Sequence, residues 1–208
     1  MTGEQVEPVF VETDYTTEIQ KRSRTMTPNF DEKKATQVAG MLLKLRQQDG
    51  RMSYMKLIKL MYLIDREALV RWGWSMIGDS YVSMENGQVL STTYDLIKHH
   101  YLGRPYWRAF ISERFGDSEV RLVKEPESDE LSRADKALIE EIFKEFGHRD
   151  RWALAEYTHK LPEYKQTLGP SIPVEYAEVL RAAGVPQERV EAIVDELSSL
   201  AQLQRLAS

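Results

Sequence analysis

The side chains of this chain best suited to binding a metal ion are its four histidines, His99, His100, His148 and His159. None of them belongs to a His-Glu-x-x-His motif. The adjacent pair would point about 100° apart on a helix, which suits two ligands of one ion poorly. A metal-dependent hydrolase that uses these histidines and scattered carboxylates stays open as an alternative, but the sequence predicts no metal site and no cofactor.

Motifs of covalent and nucleotide chemistry are absent from the sequence. It contains no cysteine, which excludes thiolate nucleophiles, disulfides and cysteine zinc sites. It also contains no Gly-x-Ser-x-Gly turn, no phosphate-binding loop and no dinucleotide fingerprint. Carboxylates are numerous, but no spacing selects an acid and base pair. We therefore predict that the protein is not an enzyme.

Lys56, Lys59 and Asp65 are the charged residues within an otherwise apolar run. The two lysines share one face of a predicted helix, and Asp65 follows roughly two turns after Lys56. One interpretation makes them edge lysines whose apolar stems cover the core, with Asp65 held by a polar bond. The other makes them a charged strip that binds a partner.

Aromatic residues are concentrated in the least regular part of the sequence: Trp72, Trp74, Tyr81, Tyr101, Tyr106 and Trp107. Such residues usually lie in the core or at its margin, but they are also favoured anchors at protein interfaces. His159 ends a predicted helix, where the negative pole would stabilise a protonated ring. A structural histidine bonded to the backbone is the other interpretation.

The apolar run around the two lysines predicts the element that organises the fold. Leu57, Leu60, Met61, Ile64 and Ala68 form one helical stripe, and further apolar residues widen it. A helix this apolar is expected inside a core, from about residue 53 to residue 73. The fold class is therefore predicted as mainly α: a compact helical domain around a buried central helix, with a small β element.

Other helices are predicted at about residues 29–48, 92–101, 132–146, 151–160, 173–183 and 186–206. Their expected capping residues are Asn29 with Glu32, Ser53, Ser132 with Asp135, and Asp150. Two short strands, Tyr81–Met84 and Glu119–Lys124, are expected to pair with each other. The last helix carries an apolar stripe that either covers the core or faces a partner.

The charge pattern indicates which partners the chain suits. The net charge is -5, distributed as -1 over residues 1–50, +3 over residues 51–115 and -7 over residues 116–208. Because there is no lysine or arginine run, the sequence does not favour direct nucleic-acid binding. No apolar run of about eighteen residues predicts a transmembrane helix. The acidic first 14 residues do not resemble a signal peptide, so a cytoplasmic location is expected.

The order of several motifs gives a family resemblance. Lys56-Leu57-Ile58-Lys59-Leu60-Met61-Tyr62 is followed by Trp72-Gly73, by Gly87-Gln88-Val89 with Tyr94, and by Thr158-His159-Lys160-Leu161-Pro162. In this order the chain resembles the Panacea domain, the SocA-like and GepA-like group of phage-associated bacterial proteins, over about residues 29–165. Gln88 stands where that family usually has proline, so we expect a less rigid turn there.

The resemblance implies a family motif whose positions are candidates for partner binding. They are Lys56, Lys59, Tyr62, Asp65, Trp72, Gly87, Val89, Tyr94 and His159. Residues 1–27 are rich in Glu, Thr and charge and lack periodicity, which predicts a flexible N-terminal arm. The resemblance implies a Panacea-like helical domain at residues 28–168, followed by a C-terminal helical extension at residues 169–208. The arm and the extension are the candidates for setting partner choice.

In function, the resemblance implies an antitoxin of a toxin–antitoxin system that binds its cognate toxin directly and neutralises it. Some similar proteins act as adaptors that deliver the toxin to a ClpXP-type protease. The alternative is a phage- or island-associated regulatory protein that binds nucleic acid, which the charge of +3 over residues 51–115 supports.

Overall fold

The computed structural model describes residues 30–46, 50–98, 105–116 and 118–207. Over these residues the chain is mainly α with small antiparallel sheets, which confirms the predicted fold class at this level. The predicted N-terminal arm, the capping residue Asn29 and the pair His99 and His100 lie outside the described residues.

The described residues form eight helices: α1 (Glu32–Leu45), α2 (Tyr54–Trp72), α3 (Ser91–Lys98), α4 (Pro105–Phe110), α5 (Arg133–Phe146), α6 (Arg151–His159), α7 (Tyr176–Ala182) and α8 (Gln187–Ala207). They also form five short strands: β1 (Arg51–Ser53), β2 (Tyr81–Met84), β3 (Gly87–Leu90), β4 (Glu119–Arg121) and β5 (Ile172–Val174). None of these helices is both long enough and apolar enough to span a membrane.

The strands form two separate antiparallel sheets. The first has the order β3–β2–β5, and the second is a two-stranded ribbon of β1 and β4. The expected pairing of the strand at Glu119 with the strand at Tyr81 is therefore wrong, because β4 pairs with β1 in the register Arg51 to Arg121. With only three residues, β1 is too short to show a periodic pattern in the sequence.

The helix α2 contains the longest buried run of the described chain. Twelve of its 19 residues are buried, including Lys56, Lys59 and Asp65. It packs against α1, α5, α6 and α7 and against the strands β1 and β3. Its last turn ends at Gly73, whose φ of 84° makes the left-handed C-cap typical of glycine.

The C-terminal part of the described chain contributes to both the sheet and the core. Residues 172–174 form β5 rather than the start of the helix predicted from residue 173, so that prediction is wrong at its N-terminal end. In α8 an inward stripe is buried: Val190, Ile193, Leu197 and Ala201. Leu200 and Leu203 of the same helix are exposed, so the apolar stripe covers the core on one side only.

The helix caps show which local patterns were informative. Ser132 with Asp135 forms a complete capping box, and the carboxylate of Asp150 accepts from the amides of residues 152 and 153, as expected. The first helix is instead capped by Asp31, so the prediction of Asn29 is wrong. Ser53 occupies the N-cap position of α2 without a side-chain bond. The first amide of α2, Tyr54 N, donates to the carbonyl of Ser118 at 3.0 Å instead.

Candidate functional site

Three residues of the family motif meet where α2, β3 and the end of α6 come together. A Cβ atom on Gly87 would lie 2.3 Å from Thr158 Oγ1, 3.0 Å from Lys59 Nζ and 3.1 Å from His159 Cδ2. Gly87 also has a φ of +90°, which residues with a side chain rarely adopt. Glycine is therefore required at this position for two reasons: the backbone conformation, and the close approach of Thr158, Lys59 and His159.

The ammonium of Lys59 ties α2 to the hairpin of β2 and β3. Lys59 is only 1% exposed, and its Nζ donates to the backbone carbonyl of Gln88 at 2.7 Å. Met84 pairs with Gly87 across a two-residue turn. The antiparallel alternation then makes Ser83 and Gln88 a non-hydrogen-bonded pair, whose backbone groups point away from the partner strand. The Gln88 carbonyl is thereby directed outwards, where Lys59 reaches it.

The side chain of Gln88 makes a second tie from the hairpin. It is fully buried. In the amide orientation that matches its neighbours, its nitrogen donates to the carbonyl of Thr158 at 2.8 Å and its oxygen accepts from Tyr164 N at 3.1 Å. Glutamine therefore connects the turn to the chain after α6, contrary to the expectation of a looser turn. A proline here would break no bond of the ladder, because this N–H also points away from β2.

The buried ammonium gives the protein a predicted pH dependence. Burial lowers the pKa of Lys59 to about 7, whereas an unfolded chain keeps the ordinary value of about 10.4. Between these values the unfolded chain binds a proton that the folded protein has lost, so the free energy of unfolding rises with pH. The slope is up to about 1.4 kcal/mol per pH unit. Urea unfolding between about pH 7 and pH 9 measures it.

The variant Lys59→Met should flatten this slope, because it removes the titrating group. Lys160→Met is the matched control, since Lys160 is exposed and, among the described residues, pairs with Glu156 one turn earlier. A residual slope is expected from Lys56, whose pKa burial also lowers. An unchanged slope in Lys59→Met would contradict the assignment to Lys59.

Tyr62 and Arg66 hold a buried carboxylate from the other side of the motif. The guanidinium of Arg66 donates to Glu163 through Nε at 2.6 Å and through Nη2 at 3.2 Å, and the hydroxyl of Tyr62 donates to the same carboxylate at 3.1 Å. The side chain of Glu163 is fully buried and that of Arg66 is 13% exposed. These bonds fix the segment that follows α6 against α2.

Asp65 is the third buried polar group on α2. Its Oδ2 accepts from Ser75 Oγ at 2.7 Å and from the Tyr81 hydroxyl at 2.6 Å, and its Oδ1 accepts from Ile77 N at 2.8 Å. Burial raises the pKa of Asp65 to about 6, although each of these donors favours the ionised form. The carboxylate thus joins α2 to β2 and to the loop before it, as one of the two interpretations expected.

Asp79, which the sequence did not single out, organises the next junction. Its carboxylate accepts from the backbone N–H groups of Thr92 and Thr93 at 2.8 Å each, which caps α3 from a distant part of the chain. Its backbone carbonyl accepts from the Tyr176 hydroxyl at 2.7 Å. Asp79 is completely buried, and burial raises the pKa of its carboxyl group.

Lys56 lies in the first turn of α2, more than two turns before Asp65. Its Nζ donates to the carbonyl of Gly147, the C-cap of α5, at 2.5 Å. A concavity around it is also lined by Arg46, Lys144 and His148. Burial lowers the pKa of Lys56, and the nearby charge of Arg46 lowers it further. The ammonium interacts favourably with the negative end of α5, so its role here is explained within the fold.

The remaining motif residues differ in exposure. Val89 is buried in β3, whereas Trp72 and Tyr94 are half-buried. His159 is exposed and stacks on Tyr164 with ring centroids 4.6 Å apart. Of the motif positions, His159 is therefore the one that presents its side chain to solvent.

The arrangement as a whole is an internal polar network. Six of the nine motif residues are buried: Lys56, Lys59, Tyr62, Asp65, Gly87 and Val89. In this structure the two lysines thus do not form an exposed charged strip. Satisfied buried polar groups of this kind hold neighbouring elements in one arrangement. Within the described part of the chain, no three His, Asp or Glu side chains are grouped so that they could hold a metal ion.

The network contains residues that the sequence did not reveal. Arg66, Glu163 and Ser75 carry no local signal, because their partners lie on other elements. Arg66 and Glu163 are 97 positions apart in the chain. The position of Arg66 on the flank of a buried helix was the only sign in the sequence that a buried carboxylate lies on another element.

The fold and this site define a class of mainly α domain. Its buried helix carries lysines and is bonded to a hairpin and to the end of a later helix. A sequence model described as the antitoxin SocA-like family, Panacea domain, matches residues 57–165, just over half of the chain. The matched range includes Lys59, Gly87 and Glu163. The chain therefore belongs to the SocA-like antitoxin family with a Panacea domain. No curated protein and no solved structure matches this chain.

Proposed function

We propose that this protein is an antitoxin that neutralises a cognate toxin by direct protein–protein binding, without catalysis of its own. The observation that carries the proposal is the match of the antitoxin family over residues 57–165. The predicted cytoplasmic location and the predicted absence of a cofactor belong to the same proposal. Nucleic acid is not its expected partner, because the net charge is -5 and no basic run is present.

Burial of the motif supports different roles for the core and the surface of the protein. Lys59 and the Arg66–Glu163 pair make their bonds inside the protein. We therefore propose that α2 is the central helix of a shared scaffold and that its motif preserves the scaffold. The toxin would then be contacted by exposed residues, which can change without disturbing the core.

Two parts of the chain are proposed to set the choice of toxin on that scaffold of residues 28–168. One is the segment of residues 1–27, and the other is the extension of residues 169–208. In the extension, the last two turns of α8 expose three leucines at helical spacing: Leu200, Leu203 and Leu206. Exposed apolar side chains at such spacing suit a helix that packs into a groove of a partner.

Co-expression with the neighbouring gene tests the antitoxin proposal. The two proteins are placed under separately inducible promoters, and growth and co-purification are measured. We expect the neighbour to stop growth alone, and this protein to restore growth while forming a stable complex with it. A toxic neighbour that this protein neither binds nor neutralises would contradict the proposal.

The same assay separates direct neutralisation from delivery to a ClpXP-type protease, the second role proposed from the family. Rescue is repeated in a strain that lacks the protease, and the amount of toxin is followed over time. Persistent rescue at constant toxin level indicates direct inhibition. Rescue that disappears, with toxin accumulating, indicates an adaptor.

A further inference from the structure

The ribbon of β1 and β4 presents two arginines directly opposite each other. Arg51 pairs with Arg121 in the register of the ribbon, and both side chains are exposed. The other face of the ribbon is buried through Met52 and Val120, each 0% exposed. Like charges placed directly opposite each other destabilise an antiparallel pair. The ribbon thus carries a charge arrangement that does not help its own folding.

Aromatic rings hold these guanidinium groups in place. The ring centroid of Phe115 lies 5.7 Å from Arg51 Cζ and 5.5 Å from Arg121 Cζ. The neighbouring Arg114 places its Cζ 5.3 Å from the centroid of the Tyr54 ring. Both rings are half-buried. Stacking on a ring orients a guanidinium group while its N–H donors stay available at the edge.

The backbone fixes the positions of the two rings. Phe115 N donates to the carbonyl of Glu119 at 3.0 Å, and Tyr54 N donates to the carbonyl of Ser118 at 3.0 Å. Ser118 adopts a φ of 70°, and among the described residues no other non-glycine residue has a positive φ. The turn before β4 and the start of α2 are thereby held together. We name the five residues Arg51, Tyr54, Arg114, Phe115 and Arg121 the arginine–aromatic surface.

The positive charge of this surface is not balanced within the described residues. Among the ion pairs of the described residues, none involves one of its three arginines. The nearby Glu113 is paired with Arg108 at 3.3 Å. The N-terminus of α2 lies at the same place, without an acidic residue in its first turn. Its helix dipole therefore adds to the positive potential.

We infer that the arginine–aromatic surface binds an acidic segment of a partner protein, and that the carboxylates of this segment contact the arginines. Arginine presents paired N–H donors that match a carboxylate, and arginine and aromatic residues are enriched at the energetic centres of protein interfaces. Its three arginines can pair with a few carboxylates, but no lysine or arginine run extends them into a long basic track. Glu113 and Glu119 flank it, and the chain is acidic overall, which disfavours a long polyanion such as DNA. The inference rests on the proposed function, because the partner protein is taken to be the toxin.

Fluorescence anisotropy with a short labelled peptide that carries three consecutive glutamates tests this inference on the full chain. Single- and double-stranded oligonucleotides of comparable charge serve as the other probes. At low salt we expect the peptide to bind, and the double variant Arg51→Gln/Arg121→Gln to weaken binding about tenfold or more. Arg149→Gln is the matched control, since Arg149 also stacks on two rings but lies elsewhere. It should bind the peptide as the wild type does.

Stability measurements distinguish lost binding from lost folding. The double variant should unfold at about the same urea concentration as the wild type, because relief of the repulsion between the two arginines offsets the loss of their contacts with the Phe115 ring. No binding of the triglutamate peptide by the wild type, or equal losses in both variants, would overturn the inference. Tighter binding of an oligonucleotide that depends on the same arginines would also overturn it, in favour of nucleic acid.

The growth assay separates this inference from the proposed function. If the wild-type protein rescues growth and the double variant rescues equally well, the antitoxin function stands and this surface is not the toxin contact. If the double variant folds but loses both rescue and co-purification, both proposals are supported. If the wild-type protein fails to neutralise a toxic neighbour, the proposed function fails regardless of the peptide result.

Discussion

Replacing Arg66 with methionine is expected to lower the free energy of unfolding by about 3–5 kcal/mol. The variant leaves the carboxylate of Glu163 fully buried with only the Tyr62 hydroxyl as a donor in place of three bonds. A buried charge without its partner costs far more than an intact pair contributes. Urea unfolding measured by circular dichroism gives the difference directly.

Two further variants make the cause of this loss testable. Arg71→Met is the matched control, because Arg71 lies on the same helix and contacts Glu141 through two nitrogens, but the pair is largely exposed. Its loss should cost about 1 kcal/mol or less. In the double variant Arg66→Met/Glu163→Gln the unpaired charge is gone, so most of the lost stability should return. Equal losses for Arg66→Met and Arg71→Met would show that burial does not decide the effect.

Replacing Gly87 with alanine is expected to have the second large effect. The new methyl group would need to occupy space 2.3 Å from Thr158 Oγ1, and the φ of +90° is strained for any residue with a side chain. The left-handed conformation costs about 1–2 kcal/mol and overpacking costs about 1–3 kcal/mol more. We expect a total loss of about 2–5 kcal/mol in urea unfolding, with the contact between the hairpin and α6 disturbed first.

Gly184→Ala separates the two causes. Gly184 has a φ of +78°, but no atom lies within 4 Å of a Cβ built there, so only the conformational cost applies. Thr158→Ala removes the nearest obstacle, so Gly87→Ala should cost less in that background than in the wild type. If Gly184→Ala is as destabilising as Gly87→Ala, close packing against Thr158 does not matter.

The features that the sequence predicted are local ones. The apolar stripe of α2, the capping box of Ser132 and the cap at Asp150 each depend on residues within one or two turns, so the pattern contains the whole interaction. The helix α4 is not predicted from the sequence, because proline more often ends a helix than continues one. In the structure Pro105 occupies the first helical position, where its missing N–H costs nothing.

The strand β5 shows why short strands are difficult to predict from the sequence. Its three residues include Pro173, which predicts a helix start or a turn more readily than a strand. Proline is tolerated because β5 is an edge strand that pairs only with β2. The pairing of β1 with β4 was missed for a related reason, since three residues cannot reveal which distant strand completes them.

The sequence indicated which residues form the candidate site, but it did not indicate which groups surround them. The motif order marked Lys59 and Gly87, yet nothing in the sequence placed the Lys59 ammonium beside the carbonyl of Gln88, because that acceptor is backbone. The two interpretations of the lysines differed only in exposure, which tertiary packing decides. Asp79 was missed because the amides that it caps belong to a helix more than ten residues later.

The position of β5 has a consequence for protein synthesis. Val174 pairs with Tyr81 and Ile172 with Ser83, so β2 acquires its second neighbour only after most of the chain has been made. Until then one side of β2 offers unpaired backbone groups, which chaperones and proteases can recognise. A chain that ends before residue 172 therefore contains the whole family match but lacks the strand that covers this edge of β2.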